Sequence, residues 1–172
     1  MIRKKNKYSK PKKAFEISRI REENELLKKY ALKNKREIWK TIAKVAYFRK
    51  RAMALAKAPI EEQEVLFNKL RNLGLKVNSM ADVLALKVND LLERRLPTIV
   101  FKKNLALTIK QARQMVVHKN VMVNNKVINI PSYLVSVSEE NSISLKKPLK
   151  KPEKKEGQSE IKSEETASEV KQ

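Results

Sequence analysis

The chain has 172 residues, of which 40 are Lys or Arg and 19 are Asp or Glu, for a formal net charge of +21. Such an excess repels itself in a compact chain and favours a polyanionic partner, nucleic acid first, over mere solubility, for which roughly 2 to 8 charges suffice. The absence of cysteine excludes disulfides, thiolate metal sites and cysteine nucleophiles, and no apolar run approaches the roughly 20 residues that span a bilayer.

Residues 1–14 hold seven basic side chains and no acidic one. They lack the apolar stretch of a secretory signal and are expected to form a disordered arm until phosphates neutralise them. From Glu16 to Tyr30, early acids and the late pair Lys28-Lys29 match a helix dipole, with Ile17, Ile20, Leu27 and Tyr30 as the buried stripe. Asn34 is the expected N-cap of a long helix from Lys35 towards Lys57. Its stripe is read as Ile38, Ile42, Val45, Ala46 and Phe48 or Arg49, with Trp39 and Tyr47 elsewhere on the helix surface and Lys40, Lys44, Arg49, Lys50 and Arg51 bordering them. Pro59 starts the next helix and Gly74 ends it as a C-terminal cap. Ser79 caps a short helix containing Val83, Leu84 and Leu86. These give about four helices.

At Asp90 a second unit begins. Leu91, Leu92, Arg94 and Arg95 fit successive helical turns, and Pro97 must kink or restart the helix. Asn104 is expected to take the left-handed conformation that stops it. Thr108 caps the following helix, with Ile109, Ala112 and Val116 buried and Lys110, Arg113 and Gln114 on the opposite, exposed face. After His118-Lys119-Asn120 the period becomes two. Val121 and Val123 form a strand, Asn124-Asn125 a tight turn, and Val127, Ile128 and Ile130 a second strand. Further strands are expected around Leu134–Val137 and Ile143–Leu145. Beyond Lys146 the chain is rich in Lys, Glu and Ser, with Pro148 and Pro152; from Glu153 it carries six acidic and four basic residues, so about +23 resides before it. That composition predicts a disordered tail.

Catalysis finds no support. His118 is the sole histidine, without a persuasive Ser–His–Asp set around it. Asp82 and Asp90 sit where helix starts want caps, and no metal-ligand cluster or phosphate-cradling glycine loop is visible. No enzymatic activity, cofactor or metal site is expected, and neither is a membrane or small-molecule partner. The cationic residues are better placed for RNA. Thr108 opens a helix whose free N–H groups, with Lys110, Arg113 and Gln114, suit phosphate. His118, Lys119 and Asn120 occupy a turn from which sugars and unpaired bases can be reached. Either the helix dipole or an RNA contact accounts for His118. Arg94, Arg95, Lys102 and Lys103 flank this unit, Asn125 and Lys126 stand at the hairpin turn, and Arg49-Lys50-Arg51 is a stronger RNA candidate than Trp39, Tyr47 or Phe48, which could stack bases but for which core packing is the better reading.

Arg95-Leu96, Thr108-Ile109-Lys110-Gln111-Ala112-Arg113-Gln114, His118-Lys119, Val121-Met122-Val123-Asn124 and Pro131-Ser132-Tyr133 together resemble the small RNA-binding module of the ribosomal S-four protein family. That module also occurs in RNA-modifying enzymes and some synthetases. Glu22-Glu23-Asn24-Glu25-Leu26, Leu32-Lys33-Asn34-Lys35-Arg36-Glu37-Ile38-Trp39 and Leu91-Leu92-Glu93-Arg94-Arg95-Leu96 are similar to the archaeal and eukaryotic branch of the ribosomal family itself. The resemblance covers about residues 3–147. It implies a component of the small ribosomal subunit in cytoplasmic ribosomes. Such a component binds ribosomal RNA directly, nucleates assembly of the subunit body, contacts neighbouring ribosomal proteins and supports accuracy near the path of incoming messenger RNA. Asn104 and Asn125 stand where that family has glycine, and Pro97 lies within one of its helices. A biogenesis factor binding precursor RNA through the same module is the alternative.

The expected architecture is α+β: a basic arm (1–14), a helical subdomain (15–89), a module of helix–turn–helix and antiparallel strands (90–147), and a disordered tail (148–172).

Overall fold

The computed structural model of the chain describes residues 6 and 8–146. The expected tail, and residues 1–5 and 7 of the expected arm, lie outside the described residues.

Four helices lead the chain: α1 (Ile17–Lys29), α2 (Lys35–Leu55), α3 (Ile60–Asn72) and α4 (Met80–Ala85). The buried stripe of α1 departs from expectation. Ile17 is 66% exposed, because α1 meets α2 through its C-terminal half, and the member buried midway is Glu23. Asn34 occupies the N-cap position of α2 in extended backbone, but its side chain caps nothing. The buried face of α2 runs through Ile38, Val45, Phe48 and Ala52. At 100° per residue Ile42 falls 40° and Ala46 80° beyond the Ile38 edge of that stripe, and both of these predicted core residues are exposed. Tyr47 is also exposed, whereas Phe48 is core.

Caps follow the sequence closely. The Ser79 hydroxyl accepts from the Asp82 N–H at 3.3 Å, and the Asp82 carboxylate accepts from the Ser79 N–H at 2.9 Å. Val83 and Leu86 are buried there, with Leu84 exposed. In α5 (Val88–Glu93), Asp90 accepts from the Lys87 N–H. Both aspartates are therefore caps. Pro97 restarts the helix as α6 (Leu96–Lys102), sitting in its first turn, where no N–H is needed. In α7 (Ile109–Val117) the Thr108 hydroxyl accepts from the Gln111 N–H at 3.2 Å.

Four helices end the same way, with a left-handed residue after the last turn and an N–H reaching back to a carbonyl five residues earlier. The residues are Ala31 (φ 48°), Gly74 (φ 75°), Asn104 (φ 56°) and Lys119 (φ 61°). The closing bonds run from Leu32 to Leu27, Leu75 to Leu70, Leu105 to Val100 and Asn120 to Met115. Gly74 and Asn104 bear out the expectation. Ala31 and Lys119 carry no turn signal in their identity.

Strands β1 (Val121–Val123) and β2 (Lys126–Val127) form an antiparallel hairpin across Asn124 (φ 49°) and Asn125 (φ 60°), both positive as a two-residue turn of this kind requires. After the short helix α8 (Val137–Glu140), β3 (Ile143–Leu145) pairs antiparallel with β1, giving the order β2-β1-β3. Two strand expectations are corrected. The second strand stops at Val127; Ile130 is 54% exposed beside Pro131, which can donate nothing to a ladder. The Leu134–Val137 segment makes only a single bridge, Leu134 to Arg95, because Ser136 and Glu139 cap each other and wind Val137 into α8.

Apolar side chains divide at the α5–α6 junction. Leu91 packs with Val45, Phe48, Leu66 and Leu70 of the leading helices. Leu96 packs with Ile99, Val116, Val121 and Ile143. Leu92, between them, joins Tyr30, Leu32 and Ile38.

Candidate nucleic-acid interface

The exposed face of α7 is set by its period. Ala112, Met115 and Val116 are buried, which turns Lys110, Gln114, Val117 and His118 outward. The N–H groups of the first α7 turn, one taken by Thr108, lie beside Lys110, where an anion is favoured. Lys119 is exposed at the left-handed turn and Asn120 is half-buried, its carbonyl accepting from the Lys146 N–H. Asn125 and Lys126 are exposed at the hairpin tip.

Arg113 does not share that face. Its guanidinium reaches Glu37 of α2, with Nη2 2.6 Å from Oε1 and Nη1 3.1 Å from Oε2, and also donates to the Ala31 carbonyl. Arg95 meets the same carboxylate, Nη2 to Oε2 at 2.6 Å, and donates to the Pro131 carbonyl. Arg95 is only 5% exposed. Burial pushes the Glu37 carboxyl up, but the hydrogen bonds and charges of Arg113 and Arg95 outweigh it and hold the group below the ordinary carboxylate range. One carboxylate thus fastens the module to the long helix. The exposed position expected for Arg113 is corrected by this geometry: a half-buried guanidinium needs a partner, and Glu37 supplies it.

Other predicted residues are similarly engaged. Arg94 bonds Glu140 at 2.8 Å and the Val135 carbonyl, tying α5 to α8. Lys103 donates to the Glu140 carbonyl. Lys102 pairs with Glu93 at the surface. Arg49, largely exposed, donates through Nη2 to the Leu86 carbonyl at 2.6 Å; Lys50 is exposed, and Arg51 lies 3.3 Å from the Tyr47 hydroxyl.

A cleft of about 410 Å³ opens beside the Glu37 clamp, its charged lining being Arg36, Glu37, Lys40, Lys44, Arg95 and Arg113. Partial burial and repulsion from Lys69 hold the Lys44 ammonium below its ordinary value, as expected of a cation without a counterion. Arg36 joins this cleft, and Glu37 and Glu23 organise the cations around it, though none of the three stands out as a site residue in the sequence. Glu23, 4% exposed, takes hydrogen bonds from Arg19 and the Trp39 indole and faces Lys35. Spacing along α2 could have revealed the cleft wall; nothing local could have revealed a carboxylate shared by residues 58 and 76 positions away.

Among the described residues no group of three or more His, Asp or Glu is placed to hold a metal ion, and no helix is long and apolar enough to cross a membrane. The S4 domain matches residues 94–141, the stretch that holds α6, α7 and the β1–β2 hairpin. Similarity extends over most of the chain. Small ribosomal subunit protein uS4 of Picrophilus torridus is 46% identical over 147 residues, covering 80% of each chain. The uS4 protein of Methanococcus aeolicus is 45% identical over 144 residues, covering 80% of this chain and 81% of its own. That of Methanocella arvoryzae is 41% identical over 150 residues, covering 80% and 73%. The chain belongs to the uS4 family of small ribosomal subunit proteins, a family of ribosomal components rather than enzymes.

Proposed function

We propose that the chain is a structural component of the small ribosomal subunit, located in cytoplasmic ribosomes, which binds small-subunit ribosomal RNA directly. It nucleates assembly of the subunit body, contacts neighbouring ribosomal proteins, and supports accuracy where messenger RNA enters. The observation that carries the RNA reading is the outward line Lys110, Gln114 and His118 on α7, continued by Lys119 and by Asn125-Lys126 at the hairpin tip. It presents cations and amides on rigid elements beside free helix N–H groups, suited to phosphates and unpaired bases.

Within this reading the residues divide by task. Lys110, Gln114, His118, Lys119, Asn120, Asn125 and Lys126 contact RNA, with Thr108 shaping the helix start. Lys102, Arg49, Lys50 and Arg51 extend the cationic field. Arg94, Arg95, Lys103 and Arg113 act chiefly by fixing the platform that presents these contacts to RNA. The helical part (15–89) and the module (90–147) each supply one wall of the cleft.

The test is binding of the full chain to full-length small-subunit ribosomal RNA and to random duplex across a salt series, with sedimentation of cell extracts. Tight discrimination and one copy per mature small subunit support the proposal. Equal affinity for both RNAs refutes direct recognition. Presence on precursor particles alone favours a biogenesis factor.

A further inference from the structure

Positions 36, 40, 44, 47 and 51 of α2 are Arg36, Lys40, Lys44, Tyr47 and Arg51, all exposed. Steps of four, four, three and four residues keep them on one face, and fifteen residues of rise make a stripe about 22 Å long. Among the described residues none of its four cations is in an ion pair. The stripe begins in the basic cleft, through Arg36, Lys40 and Lys44, and continues past it. Lys69 of α3 adds a further positive charge near Lys44 and Tyr47.

Tyr47 interrupts this line of charge with a ring 53% exposed to solvent. Its ring centroid is 5.8 Å from that of the buried Phe48, at 58°, so a core residue lies behind it. The Arg51 guanidinium, one helical turn on, donates to its hydroxyl at 3.3 Å. An aromatic platform set among unpaired cations is the arrangement that receives a nucleobase while the adjacent charges take its phosphates.

The geometry points to a second RNA contact on α2, in which Tyr47 stacks on an unpaired base of a strand lying along Arg36, Lys40, Lys44 and Arg51. This contact is separate from the α7 and hairpin surface and rests on the RNA-binding reading above.

Stacking and charge are separable by salt, because only phosphate neutralisation releases counterions. The experiment measures affinity of the full chain for full-length small-subunit ribosomal RNA at several KCl concentrations, for wild type, Tyr47→Ala, Tyr47→Phe and Lys44→Gln. Tyr47→Ala should bind roughly five-fold to a hundred-fold more weakly with the salt slope unchanged. Tyr47→Phe should bind like wild type, and Lys44→Gln should flatten the slope by roughly 0.7 to 0.9. Alanine at an exposed helical position keeps the fold, which far-ultraviolet dichroism verifies. Wild-type affinity in Tyr47→Ala overturns the proposal, as does an equal loss in Tyr47→Phe, which would assign the contact to the hydroxyl. Either leaves the α7 surface standing. A wild-type chain that fails to discriminate this RNA overturns the RNA reading and the stacking contact together.

Discussion

Removing the Glu37 carboxylate is the sharpest test of how the two halves hold together. Glu37→Ala leaves Arg95, buried at 5% exposure, and Arg113, whose side chain is 17% exposed, facing each other without an anion. Breaking a buried ion pair by deleting one partner costs about 3 to 5 kcal/mol. Partial solvent access to Arg113 places this case near the lower end, at about 3 kcal/mol. Two to four degrees per kcal/mol is typical of a domain of about 150 residues, so the melting temperature should fall by roughly 6 to 12 °C. Thermal denaturation followed by circular dichroism reads this directly. The pH dependence follows from linkage. The folded carboxyl lies below its unfolded value of 4.5, so its stabilisation is fully present above that pH and is lost as pH falls through the folded value. The gap between wild type and Glu37→Gln should therefore be constant near neutrality and shrink in acid. Replacing the triad together (Glu37→Leu, Arg95→Met, Arg113→Met) should recover much of the loss, since no unpaired charge remains buried. A Glu37→Ala protein melting within about 1 °C of wild type, or a gap undiminished at low pH, would mean that the Glu37 clamp does not hold the two halves together.

Charge reversal should separate Lys110 from Arg113. Lys110→Glu should weaken RNA binding and lower its salt slope by about 1 while leaving the melting temperature unchanged, whereas Arg113→Glu should cost stability by facing Glu37; both are checked by filter binding and thermal melts. Gly74→Ala should destabilise by about 1 to 3 kcal/mol in denaturant titration, because φ is 75° and the added Cβ would stand 2.6 Å from Arg94 Cζ. Tyr133, whose hydroxyl donates to Glu139 at 2.7 Å, is pushed up to about 12, chiefly by that hydrogen bond to an anion. A raised folded value means that its stabilisation is present below pH 10 and lost as pH rises towards 12, and Glu139→Gln should restore ordinary titration in ultraviolet spectra.

Much of the fold was legible because its signals are local. Ser79, Asp82, Asp90 and Thr108 cap the helices their positions suggest, Gly74 and Asn104 stop them, and Asn124-Asn125 turns the hairpin. The strand assigned to Leu134–Val137 failed although a competing signal was present, since Ser136-x-x-Glu139 is a capping box. The terminal turns at Ala31 and Lys119 were illegible, because neither residue favours positive φ; the closing bonds to Leu27 and Met115 impose it. Core packing suits Tyr47 by residue type as it does Phe48, yet one residue is 100° of helix, enough to turn Tyr47 to solvent while Phe48 stays buried. The cations were easy to find and hard to sort. Whether an arginine faces RNA or a carboxylate depends on partners distant in sequence, and Glu37 is one acid within a basic stretch.

The distance along the chain between Glu37 and Arg113 also bears on kinetics. Seventy-six positions separate them, whereas most other pairings lie within one half of the chain. Ordering so long a loop is entropically costly, so the clamp closes after the local helices and the hairpin have formed. Its loss should therefore accelerate unfolding and leave the refolding rate nearly unchanged, making Glu37 a determinant of how long the folded state lasts.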